Sequence, residues 1–375
     1  MDSASADITA KIQGLGDLEL AVIVCLITDQ HCIIRTEKNL EHALDQELRL
    51  VSNQVFGLSY VVLDCSENTT LDEFVNGVLV DDPKGPQGYA LEQLGEDVRA
   101  PFEPCFTTGL LHEKRSTPDV DHGSDGRGIA NVVIAKNLNA ADHQVQIQAL
   151  ELIRNRSVTT RRSVYEAPKH FLFIALLSSE PEARLTVHLN DHFSISHIHA
   201  TEDGLPNLEQ HMSNRTTSDN ASLSSVLHSL PEAGGPLAYS RPSKEPFVSA
   251  EDTEALKSAA ATVRVSPEVR AYLHNIVVFM RMHRAIAGGI SAIATRHFHQ
   301  LVKALAPLHD LSYVPPSLVA LATRKVYPHR ILITTPENER SMQWGSDIRA
   351  VREMLEGMTV EDIIEDVLTQ VEVPL

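Results

Sequence analysis

Seven consecutive residues, Phe171-Leu172-Phe173-Ile174-Ala175-Leu176-Leu177, carry no polar side chain. An extended run sends side chains alternately to both faces of a sheet, so both faces of this strand must be covered. His31-Cys32-Ile33-Ile34-Arg35, Tyr60-Val61-Val62-Leu63-Asp64-Cys65 and residues 130–134 read as further buried strands, and Ile195 to Ala200 as another. The segments between them show helical spacing, over 17–28, 38–54, 70–78 and 140–154. In the second of these Leu40, Leu44, Leu48 and Val51 share a face. Buried strands alternating with helices predict an α/β fold, a parallel sheet with helices on both faces.

Residues 158–165 fit a hairpin turning at Arg161-Arg162, and 81–88 and 112–128 read as polar loops. Residues 201–262 are dominated by Ser, Asn, Glu, Pro and Gly with little periodicity, the composition of a flexible linker. Ser266-Pro267-Glu268 is a helix start. Helices are expected over 267–284, 291–306, 315–326, 346–356 and 359–370. The predicted organisation is a core over 1–200, a flexible linker over 201–262 and an all-helical domain over 263–375.

The 32 basic residues are outnumbered by 50 acidic ones, a net charge of −18. That balance disfavours nucleic acid and anionic membrane as partners, since both reward excess Lys and Arg. Met1-Asp2-Ser3-Ala4-Ser5-Ala6-Asp7 lacks the basic start of a secretion signal. The apolar run Leu20 to Ile27 falls far short of the ~20 residues of a membrane span. Cys25, Cys32, Cys65 and Cys105 form no CxxC. The expectation is a soluble cytoplasmic or nuclear protein with reduced, buried thiols and no membrane insertion.

The order of elements carries a more specific signal. Asn131-Val132-Val133-Ile134-Ala135-Lys136-Asn137-Leu138 is followed by Asp142-His143-Gln144-Val145, the Arg161-Arg162 hairpin, the strand from Phe171, and Glu180-Pro181-Glu182. Leu189-Asn190-Asp191-His192-Phe193 closes this series. In the helical part come Gly288-Gly289-Ile290-Ser291-Ala292-Ile293-Ala294, Val314-Pro315-Pro316-Ser317-Leu318-Val319 and His329-Arg330. This series resembles the AAA+ module of the magnesium-chelatase small subunit and its MoxR relatives, over roughly residues 17–200 and 263–330. The resemblance implies a P-loop NTPase core followed by a helical lid.

The departures from that family bear on function. Its nucleotide loop, G-x-x-G-x-G-K-[ST], wraps phosphates with backbone N–H groups. Here Arg35-Thr36-Glu37-Lys38-Asn39-Leu40 stands in its place, with no glycine and with an acidic Glu37. Lys38 reads as a solvated residue at a helix start. By the resemblance, Ala135 and Lys136 occupy the acidic positions that hold magnesium and polarise water. Ser178 replaces the polar sensor Asn, His192 the Arg of D-R-F, and Ile293 the lid Arg that would reach the γ-phosphate. An apolar residue at 293 suits a dry contact between core and lid.

The resulting expectation is a catalytically inactive AAA+-like protein that binds other proteins, with no catalytic residue, no cofactor and no metal. Oligomerisation fits the ring-forming habit of the family. One alternative is a divergent chelatase-like ATPase in which Lys38 still binds phosphate. Another is an adaptor that uses motifs within 201–262. His188, His192, His197 and His199 cluster in sequence, but without fixed ligand spacing they read as satisfied or surface histidines. Arg324-Lys325-Val326-Tyr327-Pro328-His329-Arg330 reads as a helix C-terminus with favourable dipole charges.

Overall fold

The computed structural model describes residues 8, 10–81, 127–160, 163–180, 184–211 and 246–374. Five strands form a parallel sheet: β1 (His31–Thr36), β2 (Tyr60–Asp64), β3 (Val132–Lys136), β4 (Leu172–Ser178) and β5 (Phe193–His199), in the order β2-β3-β4-β1-β5. The register aligns Leu63 with Ala135, Ala135 with Ala175, Thr36 with Ser178, and Thr36 with His199. Asp64, Lys136, Ser178, Thr36 and His199 therefore share the C-terminal edge of the sheet. Phe193, at the start of β5, lies at the opposite edge.

Every residue of the apolar run is buried, and alternate residues enter different layers. Leu172, Ile174 and Leu176 face one layer, and Phe173, Ala175 and Leu177 the other. The second layer is completed by Phe74 and Val75 of α3 (Leu71–Gly77) and by Val145, Ala149 and Leu152 of α4 (His143–Asn155). The first contains α1 (Asp17–Thr28), which is buried almost all round, and Leu44 and Leu48 of α2 (Glu41–Leu50). A helix apolar on every side needs partners on every side, and here the sheet covers one of them and the helical domain another.

After β4 comes α5 (Val187–His192), a short helix that hydropathy does not announce because only Leu189 is buried on it. The helical domain comprises α7 (Pro267–Met282), α8 (Ala292–Leu308), α9 (Pro316–Val326), α10 (Ile348–Leu355) and α11 (Val360–Gln370). Side chains of Ser266, Ser291 and Thr359 accept backbone N–H bonds at three of their N-termini. An antiparallel ribbon, Ile286–Gly288 with Leu332–Ile333, joins α7 to the segment after α9. Leu273, Ile276, Phe298, Leu301, Tyr327 and Ile363 belong to the same apolar cluster as α1, so sheet and helical domain share one core.

The flexible linker expected over 201–262 is corrected at its C-terminal end. Residues Ala250–Thr262 form α6, opened by a reciprocal capping box between Ser249 and Asp252. Alanine-rich and polar, it has too weak an apolar stripe to stand out in sequence, but Leu256 and Ala260 are buried against α1 and α8. Lys11 pairs with Asp252 at 3.1 Å, and Lys257 pairs with Asp29. Residues 212–245 of the expected linker lie outside the described residues, as do Cys105, Arg161-Arg162 and most of the loops expected at 81–88 and 112–128. Cys25, Cys32 and Cys65 are free and buried. Among the described residues no helix is long and apolar enough to cross a membrane.

If α6 is an integral part of the core, Leu256→Ala will lower stability by about 2–4 kcal/mol, as removal of a buried leucine does. Urea denaturation followed by circular dichroism measures this. A loss below about 0.5 kcal/mol would mean the helix is only loosely attached.

Candidate functional site

The C-terminal edge of the sheet is where a doubly wound fold presents its ligand site. The turn between β1 and α2 is short, from Glu37 to Leu40, and Leu40 offers no side-chain cap. Glu41 opens α2 instead, with its carboxylate in the first turn, where the helix dipole favours an anion. Asn137 Nδ2 donates to Glu41 Oε1 at 2.9 Å, and Lys136 Nζ lies 3.8 Å from Glu41 Oε1 and 3.8 Å from Asp64 Oδ2. Lys136 and Glu41 side chains are only 14% and 18% exposed, so this pair is partly shielded from solvent, whereas Asp64 is 73% exposed.

The sequence-predicted positions separate on this frame. Lys136 faces α2 and lies in the charged group. Ala135 is fully buried in the opposite layer with Leu138, Val145 and Ala149, and it does not reach the group. The residue that joins Lys136 there is Asn137, held in the left-handed region at φ 51°. Lys38 pairs with Glu180 at 2.8 Å on the surface, both side chains more than half exposed, an arrangement of small energetic worth. Ser178 ends β4 beside Thr36 and accepts the Glu180 N–H at 3.4 Å. The Thr36 hydroxyl donates to the His199 carbonyl at 3.2 Å.

His192 and Ile293 lie elsewhere. His192 ends α5 and its Nδ1 is 3.0 Å from the His188 carbonyl oxygen. Ile293, in the first turn of α8, is half-buried and outside the apolar cluster joining core and lid. Core and lid meet through that apolar cluster, away from Ile293, and beside it through a polar centre built on Arg330.

Arg330 is 3% exposed. Its guanidinium donates to the carbonyls of Ser194 (3.1 Å), Asp191 (3.2 Å), Phe193 and Val326, and to His297 Nδ1 (2.8 Å). Asp191 supplies the countercharge, with Oδ1 3.4 Å from Arg330 Nε, and accepts the Ser291 hydroxyl at 2.7 Å. His329 Nε2 donates to the Phe193 carbonyl at 3.0 Å, and Asn190 Nδ2 donates to the His329 carbonyl at 2.9 Å. Arg330 therefore binds the turn between α5 and β5 to α8 and to the end of α9. The close approach requires Gly289, at φ +101°, where a Cβ would sit 2.0 Å from the Arg330 carbonyl oxygen. The reading of 324–330 as solvated helix-end charge is thus corrected for its last two residues. Only the match of His329-Arg330 to the lid pattern pointed to them.

Burial pushes Arg330 down to about 10, which leaves it charged at neutral pH. Burial and the adjacent Arg330 hold His297 down at about 3 and His329 well below its ordinary value. His31, whose Nδ1 accepts the Phe173 N–H at 3.0 Å, is also held at about 3, chiefly by burial.

With this geometry in place, known proteins can be compared. Residues 278–353 match the AAA lid domain family. The fold resembles the crystal structure of a candidate ATPase from Cytophaga hutchinsonii, with a TM-score of 0.61 over 99% of this chain and 94% of that one, at 14% identity. An uncharacterised Bacillus subtilis protein, YeaC, is 22% identical over 272 residues, 72% of this chain and 74% of YeaC. A Lachancea thermotolerans protein called maintenance of telomere capping protein 2 is 32% identical over 108 residues, 28% of this chain and 38% of that protein. The matched stretch thus spans little more than a third of that relative. The family match is thus confined to the lid segment, and the likeness to the solved structure is one of fold.

The buried histidines generate a pH prediction. The unfolded chain protonates His297 and His31 near pH 6.5, whereas the folded chain refuses those protons until about pH 3. Between those values the unfolded state binds more protons, so stability falls as the pH drops below about 6.5, by up to about 1.4 kcal/mol per pH unit per histidine. His297→Gln, which keeps an acceptor for Arg330, should flatten this dependence. Denaturation curves from pH 7.5 to 5 test it, and a slope identical in both proteins would contradict the assignment.

Proposed function

We propose that this chain is a non-catalytic AAA+-type module, of the magnesium-chelatase small-subunit and MoxR kind, that acts through protein–protein contacts. The observation that carries the reading is the charged group at the sheet edge. Where a P-loop protein offers backbone N–H groups to phosphate, this chain places the Glu41 carboxylate at the helix start. Where such a protein holds a magnesium ion, Lys136 brings its own tethered ammonium, 3.8 Å from Glu41. Phosphate and magnesium are both replaced by side chains of opposite sign to what the ligand would need, since Glu41 repels phosphate and Lys136 repels a cation. The only lysine in the turn, Lys38, is turned to Glu180 on the surface.

Contact with other proteins is supported by the surface of the lid. Trp344 is 88% exposed, Met282 67% and, facing the lid from α5, Val187 69%. Val187 and Leu332 line a cleft of about 500 Å³ whose rim carries Arg184, Arg281 and Arg340. Exposed aromatic, Met and Arg side chains of this kind are enriched at protein interfaces. The name of the Lachancea relative suggests telomere-capping factors as the first partners to test.

The expected outcome with millimolar Mg·ATP is no phosphate release above background and no shift in the thermal midpoint. Turnover that vanishes in Lys38→Ala would establish the divergent-ATPase alternative and overturn this reading.

A further inference from the structure

At the C-terminal end of β5, His197 and His199 are two residues apart and project from the same face of the strand. Both are buried, at 5% and 3% exposure. His197 Nε2 and His199 Nδ1 are buried atoms with no hydrogen-bond partner. Such atoms are uncommon, because each forfeits its hydration without replacing it. The chain then turns through a short 3₁₀ segment, Thr201–Asp203, which brings Asp203 back beneath the strand end. Asp203 Oδ2 accepts the Ala200 N–H at 2.8 Å and lies 3.8 Å from His199 Nδ1. One donor atom from each of the three side chains falls within 4.8 Å of the others.

We propose that His197, His199 and Asp203 form a binding site for one divalent transition-metal ion of the zinc class. Two imidazoles and one carboxylate suit this class of ion, with protein donors at about 2.0–2.2 Å and a remaining position open to water or a further ligand. The orphaned nitrogens are the atoms that would coordinate. Coordination would draw the three donors together from their present spacing to the distances that zinc sets. His197 also lines a cavity of about 320 Å³ with Asp17, His309 and Lys325. Asp203, in the cluster, and Asp17, in the cavity wall, supply carboxylates near the donors. Asp203 is partly exposed and gives the ion a way in from solvent.

The site lies beside the former nucleotide edge, since the His199 carbonyl accepts the Thr36 hydroxyl. It is nonetheless a separate set of donors, and its occupancy does not depend on whether ATP binds. A bound ion would tie β5 to the turn after it.

The test uses the full chain, stripped with EDTA and titrated with zinc chloride against a chromophoric chelator, with thermal unfolding in parallel. The wild type is expected to take one zinc per chain and to unfold at a higher temperature when loaded. Magnesium chloride is expected to do neither. Asp203→Asn keeps an acceptor for Ala200 and leaves the buried residues untouched, so its metal-free unfolding midpoint should match that of the wild type while its zinc affinity falls at least about tenfold. His199→Gln should abolish stoichiometric binding. Less than one zinc per chain in the wild type, or an affinity unchanged in both variants, would overturn the proposal.

Discussion

A single buried cation, Arg330, fixes how the two halves of this molecule meet. Taking a guanidinium out of water costs several kcal/mol, which is recovered only when its donors find well-placed acceptors. Here four carbonyls, one imidazole and one carboxylate meet it. The carbonyls come from both sides of the interface, three from the core and one from the lid. Neither half can move away without stranding a buried charge. Gly289 and the neutral His297 and His329 follow from the same requirement, one by giving the backbone room and the others by adding no second charge beside the first.

This clamp grips the start of β5, at the edge of the sheet opposite to Thr36, Asp64, Lys136 and Ser178. The distinction matters for function. In the AAA+ proteins that the chain resembles, nucleotide sits between core and lid and couples their angle to its own state. Here the C-terminal edge of the sheet holds the Lys136–Glu41 pair, and the Arg330 contacts that fasten the lid lie at the opposite edge.

Much of the fold was legible in the sequence because apolar periodicity is a strong signal. The buried strand from Phe171, the continuously apolar α1, and the helices opened by Ser266-Pro267 and Ser291 all appear near their expected boundaries. α5 and α6 were missed because each buries few side chains, and their place is decided by tertiary contacts that sequence does not display. The candidate site was less legible. Lys136 was read from the sequence as incompatible with a magnesium site. Its partners, Glu41 and Asp64, come from two separate segments that only the sheet order brings to it. Ile293 was read as a dry contact because a missing arginine suggested one. Core and lid instead share an apolar cluster and, beside it, the buried Arg330, which lies in a run of basic residues read as helix-end dipole charges.

The central claim is that side chains, not nucleotide, hold core and lid together. Hydrogen exchange across residues 184–199 and 286–334 measures it directly, comparing the protein alone, with saturating Mg·ATP, and as Arg330→Lys. A lysine keeps the charge but cannot span the same acceptors. The account predicts that ATP leaves protection unchanged and that Arg330→Lys lowers it on both sides of the interface together. Increased protection with ATP, or full protection in Arg330→Lys, would contradict it.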